Sequence, residues 1–429
     1  MKRIALLFFL FAALSITITA QADDRVTIEQ SSITWHTFDY ELNEDTSVVR
    51  GSFDPNTIVE REFDTWIVEN EYLRVTLLPD FGGRILSMIY KPTNHEMLYQ
   101  NPVGTPYLIG EGIFYYDWLM IYGGIFPTFP EPEHGKTWPL PWNFEIVEDT
   151  DEAVTVKMSF VDDIDFAGAP NQYNVGMTNI EVDFYVSLHA GYAALDTRIE
   201  LRNPGDRRQF EYWTNAGFAP GSEIGNPRTT AGAEIIAPID EIAIPDFWEA
   251  IIAREERTSR GTYEFDALRQ FANWDYQGIA YAFPGMNDTN FWGVINHDNE
   301  MGIFRIADNT ITPGLKIWTF GFESTEVDIE GDGENWLRPF IELWAGVSTQ
   351  FWIRKTFDAE SEIVIEETYM TSAGLNNVTH ASDSLLVNAM LDDSTATLAF
   401  NSTVPGEPLT VSVLAGGEAQ FEEIVLPQA

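Results

Sequence analysis

The sequence predicts an all-β fold in which many short strands pack as a sandwich. Apolar and polar residues alternate with a period of two in segments such as residues 153–158, 180–186 and 195–201. These segments are rich in β-branched and aromatic residues, which favour strands. The 31 Gly and 22 Pro are spread between them, where they mark turns. We expect each strand to bury one face and expose the other, so that packed sheets enclose the core.

The composition is strongly acidic and rich in aromatic residues. The 429 residues include 24 Lys and Arg against 67 Asp and Glu, which gives a formal net charge of −43. A polyanion would be repelled, so we expect neither a nucleic-acid partner nor docking on anionic lipid. Aromatic residues make up 14% of the chain. They could fill a large core or line a sugar-binding cleft.

The absence of Cys limits the possible chemistry. With 0 Cys, disulfides, thiol catalysis and Cys-based metal sites are excluded. The sequence also lacks the His-Glu-x-x-His pattern of zinc proteases and the Gly-x-Ser-x-Gly pattern of serine hydrolases. We therefore predict no cofactor and no metal site. The oligomeric state is left open.

The N-terminal segment is typical of a secretory signal peptide. Lys2 and Arg3 precede an apolar run over residues 4–16, and Ala20-Gln21-Ala22 fits a cleavage site. A transmembrane anchor is the alternative, but the apolar run is shorter than the ~20 residues that span a bilayer. We predict a signal peptide over residues 1–22, a secreted or periplasmic protein, and no membrane span after cleavage.

Three further regions are predicted after the signal peptide. Residues 23–59 precede the first confident strand and form an N-terminal arm or an edge strand. Residues 60–370 form the main sandwich. After residue 370 the composition shifts toward small and polar residues, and Phe400 and Phe421 are the only aromatic residues in the rest of the sequence. Residues 371–429 still alternate, which predicts a small β-rich C-terminal appendage.

Several motifs occur in a fixed order within residues 60–370. They are Leu78-Pro79-Asp80-Phe81-Gly82-Gly83-Arg84-Ile85, Leu98-Tyr99-Gln100-Asn101-Pro102, Gly123-Gly124-Ile125, His134-Gly135, Tyr212-Trp213-Thr214-Asn215-Ala216, Asn296-His297-Asp298, Pro313-Gly314-Leu315-Lys316 and Phe340-Ile341-Glu342-Leu343-Trp344. In this order they resemble an uncharacterised family of the galactose mutarotase-like superfamily, which is often fused to tetratricopeptide repeats. The resemblance implies a galactose mutarotase-like antiparallel β-supersandwich with a carbohydrate site on its concave face. The resemblance to aldose 1-epimerases is more distant.

Glu342 falls where the resemblance implies a catalytic base. Aldose 1-epimerases of the superfamily use a Glu on a late strand as general base and a His as general acid. Phe340, Glu342 and Trp344 share one face of the predicted strand, so Glu342 lies between two rings. Burial there would raise the pKa of its carboxyl group. The alternative is a Glu on the solvent face of the strand.

The general acid departs from the epimerase pattern. In epimerases the acid His directly follows an Asn, and the corresponding stretch here is Thr214-Asn215-Ala216. Because Ala cannot transfer a proton, this departure argues against ordinary mutarotase activity. His134 resembles a substrate-binding His of the superfamily and is the candidate acid or hydroxyl ligand, although it could also be a surface loop residue. His297 is a second binding candidate, in a segment that reads as a hairpin turn.

Other residues could line a sugar site. Trp213, Trp318 and Trp344 could stack on the apolar face of a pyranose, although packing in the core is the alternative for each of them. Further candidates could bind hydroxyl groups or a uronate carboxylate. They are Arg84, Asn215 and Lys316.

The leading functional hypothesis is a secreted carbohydrate-active enzyme that acts by acid–base chemistry at the anomeric region of a sugar. Epimerisation, glycoside hydrolysis and polysaccharide elimination all occur on related sandwiches, so the fold does not choose among them. A non-catalytic glycan-binding module is the alternative, which the missing epimerase His favours. A structural domain of a cell-surface assembly is the third possibility.

Overall fold

The structure is a computed structural model of the chain. It describes residues 25–41, 49, 52, 54–104, 123–130, 135, 137, 140–163, 176–246, 257–274, 278–321, 339–391, 395–415 and 418–427. The described residues are almost entirely strands and turns. The prediction of an all-β fold is confirmed.

The strands are, in chain order, β1 (Thr27–Asp39), β2 (Asp54–Glu69), β3 (Leu73–Leu78), β4 (Arg84–Tyr90), β5 (His95–Leu98), β6 (Val103–Gly104), β7 (Gly124–Thr128), β8 (Asn143–Asp149), β9 (Ala153–Val161), β10 (Glu181–His189), β11 (Ala194–Asn203), β12 (Arg208–Phe210), β13 (Trp213–Ser222), β14 (Ala233–Ile236), β15 (Glu241–Ala243), β16 (Tyr263–Glu264), β17 (Gly278–Phe283), β18 (Phe291–Asn296), β19 (Met301–Ala307), β20 (Gly314–Phe320), β21 (Phe340–Gly346), β22 (Lys355–Phe357), β23 (Ser361–Ala373), β24 (His380–Ala381), β25 (Leu385–Leu391), β26 (Ala396–Ser402), β27 (Leu409–Ala415) and β28 (Glu418–Val425). Two short 3-10 helices lie at Phe265–Ala267 and Phe271–Asn273.

Two large sheets form the sandwich. The first has 13 strands, in the order β16-β15-β17-β20-β21-β13-β5-β4-β3-β2-β1-β6, with β7 pairing β13 and β4. The second has 8 strands, in the order β14-β18-β19-β23-β11-β10-β9-β8. Their neighbouring strands are antiparallel, apart from the short parallel pair of β1 and β6.

The core lies between the two sheets and follows the predicted alternation. In β10, Val182, Phe184 and Val186 are buried, whereas Asp183 and Tyr185 between them are half-buried. The inner faces of both sheets contribute to one cluster, which includes Leu343 and Ile125 on the first sheet and Ile199 and Ile303 on the second. Burial of this apolar surface is the main force that holds the sheets together.

The terminal regions join these sheets. β1, from the predicted N-terminal arm or edge strand, pairs with β2 along its whole length and has only the two-residue β6 beyond it. The predicted boundary at residue 370 falls inside β23, which stays paired with β19 up to Ala373.

Beyond Ala373, β24–β26 form a three-stranded sheet and β27–β28 a hairpin. Leu375, Val378 and Leu386 pack in one cluster with Phe304 of the second large sheet. The three-stranded sheet therefore covers part of the outer face of the second large sheet.

No helix among the described ranges is long and apolar enough to cross a bilayer. The predicted signal peptide lies outside these ranges.

Candidate functional site

Strand register brings four of the predicted site residues to one place on the outer face of the first sheet. Lys316 of β20 is opposite Trp344 of β21, and Trp344 is opposite Asn215 of β13. Glu342 lies two residues from Trp344 and therefore points to the same side. Arg84 of β4 interacts electrostatically with Glu342. We call Arg84, Asn215, Lys316 and Glu342 the Glu342 cluster.

Arg84 is placed by two glycines in the predicted Gly-Gly-Ile motif. Its Nη1 donates a hydrogen bond to the carbonyl oxygen of Gly123, and its guanidinium lies 3.8 Å from the centre of the Phe126 ring. Gly124 has φ +75°, and a Cβ there would lie 2.2 Å from the carbonyl oxygen of Ile85. Only glycine lets β7 pass this close to β4, which explains the motif in physical terms.

Glu342 is a buried carboxyl group with a raised pKa. Glu342 is only 1% exposed to solvent. Burial raises the pKa of Glu342 to about 7, while Lys316, Asn215, Trp344 and Arg84 oppose the shift. The indole Nε1 of Trp344 donates to Glu342 Oε2 at 3.0 Å. The Asn215 amide is close enough to lower the pKa but makes no well-directed hydrogen bond with the carboxyl group.

Polar atoms of this cluster lack hydrogen-bond partners within the described part of the chain. They are Glu342 Oε1, both amide atoms of Asn215 and Arg84 Nη2. Burial also lowers the pKa of Arg84 to about 9, against the effect of the Glu342 charge. Buried polar atoms nearly always have partners in native proteins, so a group of them in one place marks a candidate ligand site.

The aromatic residues of this face divide into buried and partly exposed rings. Trp213 and Trp344 are each 0% exposed. The Phe351 ring packs against both of them, with centroids 4.9 Å and 5.5 Å away. This arrangement matches the core-packing alternative for these two rings. Trp318 remains half-exposed and is better placed to contact a sugar.

The ammonium group of Lys316 lies between two rings. Its Nζ is 3.8 Å from the centre of the Trp344 ring and 4.1 Å from that of Phe351. Cation–π attraction of this kind is stronger in a desolvated site. Lys316 is thus held beside Glu342 by the rings, and its charge stabilises the ionised carboxylate.

Sequence reasoning missed Glu211 and Phe351. The buried Glu211 accepts hydrogen bonds from Trp213 Nε1 and from the backbone N–H of Trp352, at 2.9 and 3.0 Å. It thereby fixes the segment that carries Phe351. Trp352 has φ +70°, which is unusual for a bulky residue. The signal was a Glu next to the Tyr212-Trp213 motif, but only the fold shows what it binds.

Neither His297 nor Ala216 faces the Glu342 cluster. His297 lies in the hairpin turn between β18 and β19 of the second sheet, as the sequence predicted. Its Nε2 is 2.5 Å from Glu234 Oε2, so the structure does not bring it to the Glu342 cluster. His134 lies outside the described residues. Ala216 points into the core, so a proton donor at that position could not face Glu342. The residue of β13 that faces the cluster is Asn215.

The described residues contain no group of three or more His, Asp or Glu side chains placed to hold a metal ion. The polar atoms of the Glu342 cluster are instead a mixed set of donors and acceptors. Such a set matches hydroxyl groups, each of which donates and accepts.

Two solved structures have the same fold as this chain. A TPR-domain containing protein from Parabacteroides distasonis matches 82% of this chain with a TM-score of 0.58 and 17% identity. The chain spans 56% of the length of that protein. A candidate aldose 1-epimerase from Klebsiella pneumoniae matches 72% of this chain and 79% of its own length, with a TM-score of 0.50 and 14% identity. At these identities the matches show the fold alone, and it is the mutarotase-like sandwich that the motifs implied.

The family comparison covers the same region as the motifs. The model described as "Domain of unknown function (DUF5107)" matches residues 52–361. The match runs from just before β2 to the first residue of β23, so it leaves out β1, and it contains every residue of the Glu342 cluster. The chain therefore belongs to the DUF5107 family, a family of unknown function.

Proposed function

We propose that this protein is a carbohydrate-active protein in which Glu342 acts as a general base at the anomeric region of a sugar. The observation that carries the proposal is the group of buried polar atoms without partners on Glu342, Asn215 and Arg84. Hydroxyl groups of a sugar would satisfy these atoms. The fold shared with a candidate aldose 1-epimerase supports the same class of ligand.

The electrostatics of Glu342 suit proton transfer. A base works best when its pKa is near the working pH, and that of Glu342 is raised to about 7. Loss of the proton from the anomeric hydroxyl group would leave negative charge on that oxygen. Arg84 and Lys316, both buried near Glu342, would stabilise that charge in a low-dielectric site. His134 remains the proposed acid or hydroxyl ligand. The reaction could be epimerisation, hydrolysis or elimination.

A glycan-binding module without catalysis is the second candidate. It is favoured by β13, whose residues on the outer face beside β21 are Trp213, Asn215 and Gly217. None of them can donate a proton as the epimerase His does. A binding module needs only hydroxyl ligands and rings, and the Glu342 cluster with Trp318 provides both.

Replacement of Glu342 by Gln should abolish sugar chemistry while leaving the fold intact. Gln keeps the shape of the side chain but cannot accept the proton, and general bases contribute about 10²–10⁴-fold to rates. The measurement is proton NMR of the protein with a panel of free sugars and soluble polysaccharides. Anomeric exchange, new reducing ends or unsaturated ends would each identify one reaction class.

Glu241→Gln provides the matched control. Glu241 is another buried Glu of the first sheet, but its oxygens are bonded to Arg260 and Thr262. We expect this variant to keep full activity. Activity that survives in Glu342→Gln would rule out Glu342 as the base. Sugar binding without chemistry in both proteins would support the binding module.

We also propose that the protein is exported and that residues 1–22 are removed. Expression in a bacterial host should give a secreted or periplasmic protein that begins at Asp23. Intact-mass analysis of that fraction measures the cleavage point. An exported product that retains Lys2 and Arg3 would contradict the proposal.

A further inference from the structure

A cleft lies on the outer face of the first sheet, apart from the Glu342 cluster. Its volume is about 560 Å³, within the range of small-molecule sites. β1, β3, β4 and β5 carry its floor and one wall, and the segment after β13 forms the other wall. Trp35, Thr76, Ser87, Glu96, Gln100 and Ile224 are among the residues that line it.

Strand register places this cleft on the same face as the Glu342 cluster. Thr76 is opposite Ser87. The neighbouring residues Val75 and Ile85 belong to the core, so Thr76 and Ser87 face outward. Arg84 lies on the same strand as Ser87 and points outward. The backbone of Gln100 forms an isolated antiparallel β-bridge with Gly123. The carbonyl oxygen of Gly123 accepts the hydrogen bond from Arg84. The two sites are therefore joined by one continuous stretch of sheet.

The floor of the cleft is polar and held rigidly. Buried Glu96 accepts hydrogen bonds from the Ser87 hydroxyl group and from the backbone N–H of Met88 and Leu98. Since Ser87 donates its proton to Glu96, its oxygen is left to accept from a ligand. Gln100 is fixed by a hydrogen bond from its Nε2 to the carbonyl oxygen of Leu86, at 3.1 Å.

One wall of the cleft is an aromatic ring held in place. Trp35 is half-buried, and its Nε1 donates to the carbonyl oxygen of Asn101 at 2.8 Å. Its ring also meets Phe63 edge-on, with centroids 6.3 Å apart. The opposite wall includes the exposed Ile224. A fixed ring above a floor of hydroxyl and amide groups suits a sugar, which has an apolar face and polar edges.

We propose that this cleft is a second carbohydrate subsite and that the ligand is an oligosaccharide running along the sheet from Glu342 to Trp35. The proposal rests on the proposed function. From β21 the path crosses β13 and β7 to reach β4, about 14 Å at ~4.8 Å per strand. This distance exceeds one sugar ring, so a monosaccharide bound at Glu342 would not reach the cleft.

The test is calorimetric titration with glucose, xylose and galacturonate and with their linked oligosaccharides of increasing length. We expect the longer oligosaccharides to bind at least about tenfold more tightly than the monosaccharide, which is the gain from one added set of contacts. Trp35→Ala and Gln100→Ala should remove that gain without changing monosaccharide binding. Gln209→Ala, at an exposed Gln of β12, is the matched control and should keep the gain.

Each outcome bears on one proposal. Oligosaccharides that bind no better than the monosaccharide would overturn the subsite, as would a gain that survives both cleft variants. If monosaccharides still react in a manner that depends on Glu342, the proposed function stands without the subsite. If no sugar of the series binds or reacts, both proposals fail for this ligand class.

Discussion

Replacement of Glu367 by Gln should lower the free energy of unfolding by about 3–5 kcal/mol, which is the usual cost of breaking a buried ion pair. Arg305 and Glu367 are each 0% exposed, and Arg305 Nε lies 2.6 Å from Glu367 Oε1. Asn309 and Thr312 accept the other guanidinium hydrogen bonds, at 2.9 Å. Tyr369 donates to the second Glu367 oxygen at 3.0 Å. Removal of the carboxylate leaves the Arg305 charge buried without its counter-ion.

Urea denaturation of three further variants tests this explanation. A double variant with Arg305→Met and Glu367→Leu should recover most of the loss, because an apolar pair of similar volume often replaces a buried ion pair without cost. Asp358→Asn breaks the exposed pair with Arg207, and we expect a cost below about 1 kcal/mol. Arg305→Met alone should be destabilising as well, because it leaves the buried Glu367 carboxylate without its counter-ion. If Glu367→Gln costs no more than Asp358→Asn, the buried pair does not contribute as argued.

The position of this ion pair could not be predicted from the sequence. Arg305 lies in Ile303-Phe304-Arg305-Ile306, where the period of two puts it on the same side as Ile303. From the pattern alone, a charged residue at this position would interrupt a buried apolar face of the strand. Its partner Glu367 is on β23, and the two strands become neighbours only through the sheet order. Long-range pairing of this kind leaves no local signal in the chain.

The candidate site could be predicted only in part, because alternation within one strand is visible in the sequence and the pairing of distant strands is not. Alternation within one strand correctly placed Phe340, Glu342 and Trp344 on one face, since that depends only on local geometry. The same rule shows why position 216 cannot supply an acid: Asn215 faces outward, so Ala216 must face the core.

Only one of the sequence motifs, Leu98-Tyr99-Gln100-Asn101-Pro102, contributes to the cleft at Trp35. Its walls come from Trp35 and Ile224, which lie far apart in the chain, and its floor from β3, β4 and β5. Each contributing residue is of an ordinary type in an ordinary strand. Only the packing of β1 beside β2 and β3 brings them around one volume. The motifs identified the Glu342 cluster because several of them converge there, and no motif includes Trp35.

The stability difference between the wild-type protein and Glu342→Gln should change by about 3 kcal/mol between pH 4 and pH 8. The pKa of Glu342 is about 7 in the folded protein, against an ordinary value of 4.5. Below pH 4.5 the carboxyl group is protonated in both states, so burial carries no ionisation penalty. Between these pKa values the unfolded chain releases a proton that the folded protein retains, so stability falls as the pH rises. Above pH 7 the full penalty of about 3 kcal/mol applies, at about 1.4 kcal/mol per pKa unit.

Urea denaturation of both proteins across this pH range measures the difference. The Gln variant cannot ionise, so subtraction removes the effect of other buried acids such as Glu96, whose pKa is also raised. The wild-type protein should lose stability relative to the variant between pH 4.5 and about pH 7 and then level off. Any Glu342-dependent activity should rise around pH 7, because the base must be ionised in the folded protein. A difference that stays constant with pH would mean that Glu342 ionises normally. Burial would then not be what prepares it for proton transfer. If stability levels off at the same pH of about 7 at which activity reaches half its maximum, the same carboxyl group controls both. That result would connect the energetic cost of burying Glu342 to its proposed role.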